Sequence, residues 1–321
     1  MRPLPVPAAL TVVVLGGVAS AAQGVVNAEL GERTGDPLVG AVVNNLGGCL
    51  IVLLGLAAVP SMRAGLAGLR RAGLPWWAYL GGLGGAAIVV IGPFVVPALG
   101  VAVFTIAQVA GGSLGGLAVD RAGLAATGRL PLTGPRVAGA LLGIAAVTLA
   151  QLGRPVGDLA VGLVLLSVAG GLAVALQSAL NGRLAAAVGP AAGLAVNFAV
   201  STATILALAG LAGALVTRSG WPTQWWLYVG GLFGVSIVLA LLVGVRAAGV
   251  LRTGLALVAG QLGGALLLDT VLPGGAGVRL PVLVGATLTV LAVLVAGVRR
   301  RRAPIRVAAE PVPGTDGRLV S

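Results

Sequence analysis

Long apolar runs that are almost free of charge dominate this sequence. Unbroken runs of about 20 apolar residues match the length of a membrane-spanning helix, whereas membrane β-strands alternate in polarity over about ten residues. Charged residues make up 9% of the 321 residues, which is too few for a soluble domain, where about 25% are charged. We therefore predict an all-α polytopic membrane protein with ten transmembrane helices. The spans are expected at 8–27, 37–59, 76–96, 98–119, 137–152, 159–180, 190–216, 225–245, 253–272 and 280–298.

The residue types present exclude several kinds of chemistry. The chain has no His and a single Cys, Cys49, which excludes His/Cys metal sites, His-dependent catalysis and an intrachain disulfide. The net charge of +12 comes from 20 basic residues, all Arg, scattered between apolar runs or gathered near the C-terminus. This distribution does not form a nucleic-acid-binding patch. We predict no catalytic residue, no metal, no cofactor and no nucleic-acid partner, and we do not expect an enzyme.

The arginines also predict how the chain sits in the membrane, because cytoplasmic loops are enriched in basic residues. With ten spans and the N-terminus inside, four of the 20 arginines face outward: Arg33, Arg154, Arg218 and Arg279. Both termini are therefore expected to be cytoplasmic, with the protein in the cell membrane. Residues 299–321 begin with four consecutive arginines, and we expect them to form a disordered cytoplasmic tail.

The two halves of the chain repeat the same landmarks. Residues 16–27 read GGVASAAQGVVN and residues 170–181 read GGLAVALQSALN, with the Gln and the Asn offset by 154 positions. The Trp-Trp-x-Tyr sequence at 76–79 recurs at 225–228. The N-terminal run also resembles a cleavable signal peptide, but its recurrence in mid-chain disfavours that alternative.

Five spans per repeat is an odd number, so the second copy enters the membrane from the opposite side. We predict a first five-helix repeat over 1–152 and a second, inverted repeat over 153–298, related by a pseudo-two-fold axis in the membrane plane. The two Trp pairs then lie at opposite interfaces as aromatic anchors. Inverted repeats are the architecture of many secondary transporters, although duplicated membrane folds also serve channels and scaffolds.

Amide side chains are the main polar groups within the predicted spans. Gln23 and Asn27 are four residues apart and share one helix face, and Gln177 and Asn181 repeat that spacing. Because an unpaired amide in hydrocarbon is costly, these groups either join helices through hydrogen bonds or line a hydrated pathway that binds the substrate. We expect at least half of the set to face one cavity. The predicted substrate-binding residues are Gln23, Asn27, Asn44, Gln108, Gln177, Asn181, Asn197 and Gln261.

Two further features concern the ends of the predicted helices. Asp269 and Glu29 lie near such ends, where we expect them to face water, with proton coupling as the alternative. Gly92-Pro93 and Pro97 are expected to form a turn or a kink between the third and fourth spans.

Two motifs resemble a known transporter family. Residues 177–184 read QSALNGRL, and Gly260-Gln261-Leu262 precedes Asp269. These segments are similar to the Gln-x-x-x-Asn-x-x-Leu and Gly-Gln-Leu…Asp segments of the YdcZ-like branch of the drug/metabolite transporter (DMT) superfamily. The first copy departs from the second motif, because Gly112 aligns with Gln261 and Gln108 lies one turn earlier. The resemblance implies ten helices in inverted five-plus-five repeats and transport of small molecules across the cytoplasmic membrane.

The resulting hypothesis is a secondary transporter of the DMT type. It would export a small metabolite or drug-like molecule by alternating access at the interface of the two repeats. The alternative is a non-transporting integral membrane subunit, for example of a lipid-linked sugar flippase. The expected partners are the lipid bilayer and the small-molecule substrate, and a homodimer is left open. An intramembrane enzyme is disfavoured, because the spans hold no His and no deep carboxylate pair.

Overall fold

A computed structural model describes residues 4–124, 128–129, 131–150, 152, 158–214, 220–272 and 279–296. Every regular element among these residues is helical, which confirms the all-α prediction. The predicted tail, 299–321, lies outside the described residues. The helices are α1 (Val6–Thr34), α2 (Pro37–Ala58), α3 (Pro60–Gly68), α4 (Gly82–Leu99), α5 (Val101–Ala122), α6 (Gly134–Ala150), α7 (Asp158–Val188), α8 (Pro190–Leu211), α9 (Gly230–Val271) and α10 (Leu280–Ala296), with short 3₁₀ helices at Leu69–Arg71, Trp76–Gly81 and Trp225–Tyr228.

Most of these helices have the length and composition of membrane spans. Seven segments of the described chain are long and apolar enough to cross a bilayer, and three more apolar helices are shorter. The chain is therefore a multi-pass α-helical membrane protein. The seven longer segments are Val6–Thr34, Pro37–Ala58, Trp76–Leu99, Val101–Ala122, Leu159–Val188, Pro190–Leu211 and Thr253–Val271, and the shorter ones are Gly134–Ala150, Gly230–Leu241 and Leu280–Val295.

The helix α9 covers most of two predicted spans, 225–245 and 253–272, the first of which begins in the short helix Trp225–Tyr228. Their prediction as separate helices is wrong, because helical backbone continues from Gly230 to Val271. The chain nevertheless reverses direction within α9. A methyl group placed on Gly244 would lie 2.7 Å from Cγ2 of Thr253, whereas a straight helix separates residues nine positions apart by about 13.5 Å. Both arms consequently pack against α1.

The linker predicted between the second and third spans begins with a further helix, α3. Its side chain Met62 is buried against Val52 and Phe198. Arg63 donates hydrogen bonds to the carbonyl oxygens of Leu56 and Ala57 at 2.8 and 2.6 Å. These contacts satisfy carbonyls in the last turn of α2, where a cation is favourable.

The turn between α4 and α5 lies at a later residue than the position that the prolines of α4 predicted. Pro93 and Pro97 are both inside α4, which is compatible with a membrane helix because neighbouring groups compensate for the missing N–H. The chain turns at Gly100, whose φ of 82° and ψ of 159° suit glycine. A turn at Gly92-Pro93 and Pro97 is therefore wrong, the alternative of a kink there stays a prediction, and the α4–α5 hairpin closes at Gly100.

The helices pack mainly across the boundary between the two halves. The helix α1 packs on α9, α7 packs on α4 and α5, α2 packs on α8, and α6 packs on α10. Small residues allow the backbones to approach closely. A methyl group on Gly17 would lie 2.7 Å from the nitrogen of Gln261, and one on Gly171 would lie 2.7 Å from the nitrogen of Gly112.

The largest buried apolar cluster surrounds the α4–α5 turn. It includes Val95 from α4, Ile106 from α5, Ala146 from α6, Leu262 from α9 and Val282 from α10. Residues of both halves therefore contribute to one continuous core, which holds α5 and the second arm of α9 next to each other.

Candidate functional site

The first group of predicted amides joins α1 to α2 and α9. Nε2 of Gln23 donates to Oδ1 of Asn44 at 2.8 Å and to the carbonyl oxygen of Gly230 at 3.1 Å. Asn27 is buried, and a methyl group on Gly230 would collide with its side-chain oxygen. We call Gln23, Asn27 and Asn44 the α1 amide cluster; it fills the close crossing of α1, α2 and the start of α9.

The second group repeats this arrangement around α7. Oδ1 of Asn197 accepts hydrogen bonds from Nε2 of Gln177 at 3.0 Å and from Nδ2 of Asn181 at 2.9 Å. A methyl group on Gly81 would collide with Oδ1 of Asn181, so the backbone of the first half lies directly against this side chain. We call Gln177, Asn181 and Asn197 the α7 amide cluster.

A small cleft lies between α1, α5 and α9. The cleft is partly open, and the space of about 230 Å³ between its walls includes open solvent; its lining side chains are uncharged. Nε2 of Gln261 donates to Oγ of Ser20 at 3.0 Å. Gln108 is partly buried, and its side-chain amide has no hydrogen-bond partner among the described residues. The lining residues are Ser20, Ala21, Gly24, Val101, Phe104, Thr105, Gln108 and Gln261.

Helical spacing explains why these residues meet. Phe104 and Thr105 each lie three or four residues from both Val101 and Gln108, so the four residues share one face of α5. The hydroxyl of Thr105 donates to the carbonyl oxygen of Val101 at 2.8 Å, so on this wall the side chain of Gln108 is the polar group without a partner in the part of the chain that the structure describes. A free amide offers both a donor and an acceptor to a molecule in the cleft.

The predicted site residues thus fall into two environments. Gln108 and Gln261 line the cleft, and five of the remaining six make the side-chain hydrogen bonds described above, with Asn27 buried beside them. The role of all eight in substrate binding stays a prediction. Phe104 and Thr105 were not predicted as site residues, although their spacing before Gln108 places them on the same helix face.

Asp269 does not face water as expected from its place near a helix end. It is 6% exposed, and its carboxylate oxygens accept the backbone N–H groups of Val101 and Ala102 at 3.0 and 2.9 Å. These groups belong to the first turn of α5, where a negative charge is favourable. Glu29 does lie at the surface, where it forms an ion pair of 2.7 Å with Arg33.

Asp269 therefore links the second half to the helix that forms one wall of the cleft. The residue is next to the cleft through Val101, which contacts both the carboxylate and the empty space. This arrangement fixes the start of α5, and with it the height of Gln108 two turns further along.

Helices of membrane-spanning length around an uncharged polar cleft define an integral membrane protein of the multi-pass α-helical class. The family model described as "Putative inner membrane exporter, YdcZ" matches residues 8–149 and 162–299. The chain belongs to this YdcZ family of inner membrane exporters in the DMT superfamily, as the motifs at 177–184 and 260–269 predicted. No curated protein and no solved structure matches the chain significantly.

Proposed function

We propose that the protein exports a small molecule by alternating access, with the substrate bound in the cleft between α1, α5 and α9. The observation that carries this proposal is the origin of the cleft walls. Ser20 and Gln108 come from the first half of the chain and Gln261 from the second. A movement of one half relative to the other would therefore open the cleft to one side and then to the other. Membership of an exporter family supports the direction of transport.

Matched contacts support an inverted repeat. A methyl group on Gly85 would lie 2.7 Å from Nε2 of Gln177, and one on Gly234 would lie 2.8 Å from Nε2 of Gln23. In the first contact the glycine belongs to the first half and the glutamine to the second, and in the second contact the halves change places. Gly85 corresponds to Gly234 in the repeat, and Gln23 corresponds to Gln177. Such reciprocal contacts are expected when two similar units are related by a two-fold axis.

The family match supports the same division of the chain. Its two segments, 8–149 and 162–299, correspond to the proposed repeats over 1–152 and 153–298. Ten crossings also require the shorter helices to span the membrane. The 17 residues of α6 or α10 cover about 26 Å, close to the hydrocarbon thickness of about 30 Å.

The orientation follows from the proposed ten crossings and the distribution of arginine. Both termini would be cytoplasmic, with most arginines on that side of the membrane. A reporter enzyme that is active only in the periplasm, fused after residue 298, should be inactive. An active fusion would overturn the orientation, while leaving the cleft and its chemistry as described.

The chemistry of the cleft favours an uncharged substrate with both polar and apolar parts. None of its lining residues carries a charge, so a charged molecule would lose its hydration without gaining a counter-ion there. Gln108 can donate to and accept from a polar group, while Phe104 offers an apolar wall. An amide, hydroxyl or carbonyl group attached to a compact apolar body fits these features.

The sharpest test replaces both glutamines of the cleft with Leu. Metabolite profiles of the medium are compared for cells that lack the protein, overproduce it, or overproduce the Gln108→Leu/Gln261→Leu variant. Some compounds will be enriched in the medium by the unmodified protein. In the medium of cells that overproduce the variant, we expect their concentrations to fall to the level found for cells without the protein. The amount of variant in the membrane must equal that of the unmodified protein for the comparison to count.

A matched control makes the same chemical change outside the cleft. Gln224→Leu alters a residue before the Trp225–Tyr228 turn and should leave export unchanged. Full export by a stable double variant would rule out the two glutamines as substrate ligands. If the unmodified protein alters no extracellular compound and is purified only with another membrane protein, the alternative of a non-transporting subunit is favoured.

A further inference from the structure

Two arginine–tryptophan pairs connect the two halves of the protein. The guanidinium carbon of Arg183 lies 4.9 Å from the ring centroid of Trp77, and that of Arg33 lies 5.8 Å from the ring centroid of Trp226. Both distances are within the range of cation–π attraction. Trp77 and Trp226 occupy matching positions of the Trp-Trp-x-Tyr sequences. The two arginines do not match in the same way: at the offset of 154 positions, Arg183 aligns with Glu29, and Arg33 lies one helical turn further along α1.

Each pair has one additional contact. Nη2 of Arg183 is 3.4 Å from the carbonyl oxygen of Gly123, just after the end of α5. Nε of Arg33 is 2.7 Å from a carboxylate oxygen of Glu29. We call Arg183 with Trp77 the α7 latch, and Arg33 with Trp226 the α1 latch. The α7 latch lies in the last two turns of α7 and the α1 latch in the last turn of α1.

The α1 amide cluster separates the α1 latch from the cleft, and the α7 amide cluster lies next to the α7 latch. Asn181 precedes Arg183 and packs against Gly81, while Asn27 precedes Arg33 and packs against Gly230. From the end of α1 inward, the order is therefore the α1 latch, the α1 amide cluster and the cleft. From the end of α7 inward, the α7 latch is likewise followed by the α7 amide cluster. In an inverted repeat, α1 and α7 run in opposite directions, so the two latches lie on opposite sides of the membrane.

The latch tryptophans are less exposed to solvent than the tryptophans that precede them in the sequence. Trp76 and Trp225 are 75% and 76% exposed, whereas Trp226 is 37% exposed. The first Trp of each sequence thus projects away from the protein, and the second contacts the arginine of the other half. Interfacial anchoring explains Trp76 and Trp225, but it does not explain the arginine contacts.

We propose that the two latches are the gates of the transporter and that they open alternately. This proposal rests on the proposed function, since a gate requires a pathway. Opening the cleft at one end must separate α7 from Trp77, or α1 from Trp226, while the latch at the other end stays closed. A partly exposed cation–π pair shifts such an equilibrium by about two- to fivefold, which is weak enough to open during each transport cycle.

The test measures access to the cleft from each side of the membrane. Cys49 is the only cysteine, so Cys49→Ser gives a background without thiols. Gly24→Cys then places one thiol in the cleft, where an added Cβ meets no atom within 4 Å. A membrane-impermeant maleimide is applied to intact cells and to everted vesicles, and the labelling rate is measured for each side.

The latch variants should change these rates in opposite directions. With the proposed orientation, Arg33→Ala should raise labelling from outside and lower it from inside, by about two- to fivefold. Arg183→Ala should do the reverse. Trp226→Leu and Trp77→Leu should reproduce the effects of their partners, and removing both members of one latch should add little more, because both changes remove the same contact.

Two neighbouring residues provide matched controls. Trp76→Leu and Trp225→Leu remove the exposed tryptophans beside the latches and should leave both labelling rates unchanged. Variants are compared only at equal amounts of monodisperse protein. The arginine variant and the tryptophan variant of a latch test the same contact independently, so if one of them does not fold, the other can be used in its place.

The outcomes separate the latches from the proposed function itself. If labelling occurs from both sides but the two latches shift it in the same direction, or neither shifts it, the latches are not gates. A different outcome is that the maleimide reaches the introduced thiol from one side only, both in the protein with intact latches and in the variants of either latch. In that case, alternating access through this cleft is wrong.

Discussion

The carboxylate of Asp269 accepts the backbone N–H of Ala102 at 2.9 Å, across 167 positions of sequence. A capping side chain normally precedes its helix directly, but Gly100 at this position has no side chain, and a carboxylate from the opposite half takes its place. The start of α5 is thereby fixed by a residue of α9. Because α5 carries Gln108, the geometry of the cleft depends on this contact.

Replacing Asp269 with Leu should destabilise the protein. The change leaves two buried N–H groups without acceptors, which costs about 1–3 kcal/mol. Asp269→Asn keeps one acceptor oxygen and should lose less. The apparent melting temperature of the purified protein in detergent measures both effects, with Thr270→Ala, at the exposed next position, as the control. Equal melting temperatures for the Leu variant and the unmodified protein would contradict the capping role.

Adding a methyl group at the closest helix crossings should also destabilise the protein. Gly17→Ala would collide with the carbonyl oxygen of Leu257, and Gly171→Ala with that of Gln108. Overpacking of this kind costs about 1–3 kcal/mol. Gly116→Ala meets no atom within 4 Å and serves as the control. We expect lower yields of monodisperse protein for the first two variants, and a yield unchanged by all three would argue against these crossings.

The two amide clusters should respond unequally to loss of their acceptor. Asn197→Leu removes the only acceptor described for both Gln177 and Asn181, while Asn44→Leu leaves Gln23 bonded to the carbonyl oxygen of Gly230. At about 0.6–2 kcal/mol per interhelical bond, Asn197→Leu should lower the melting temperature more. The reverse order would show that the hydrogen bonds do not determine stability here.

A single hydrogen bond across the α2–α8 crossing gives a smaller prediction. The hydroxyl of Ser201 donates to Oδ1 of Asn45 at 2.8 Å, and both residues are buried. Ser201→Ala should cost about 0.6–2 kcal/mol, measured as a lower melting temperature. In an Asn45→Ala background the same change should have a smaller effect, because the bond is already absent. Additive losses would show that the two residues do not interact.

Repetition in the sequence predicted contacts better than it predicted helix boundaries. The matched spacing of Gln23 and Gln177 indicated equivalent environments, and both side chains bond an asparagine of the following helix. Hydropathy also identified both arms of α9. Hydropathy could not show how the chain passes from one arm to the other, because the reversal within continuous helical backbone depends on how both arms pack on α1.

Contacts between distant residues account for most of what the sequence did not predict. Asp269 resembles any carboxylate near a helix end until α5 is placed beside it. The helix α3 is short, and its burial depends on Met62 reaching Phe198 of the other half. Phe104 and Thr105 could have been grouped with Gln108 by periodicity, but periodicity identifies a face and not the cleft that it borders.

The packing of α1 on α9 has a consequence for how the protein is made. The ribosome synthesises α1 before its main packing partner, α9, and the helices α2 to α8 are made between them. Until residues 230–271 have been inserted, the glycine-lined face of α1 at Gly16 and Gly17 lacks the contacts that α9 supplies. The docking of α1 therefore has to wait for a helix that is made much later, and a nascent chain stopped before α9 keeps that face uncovered.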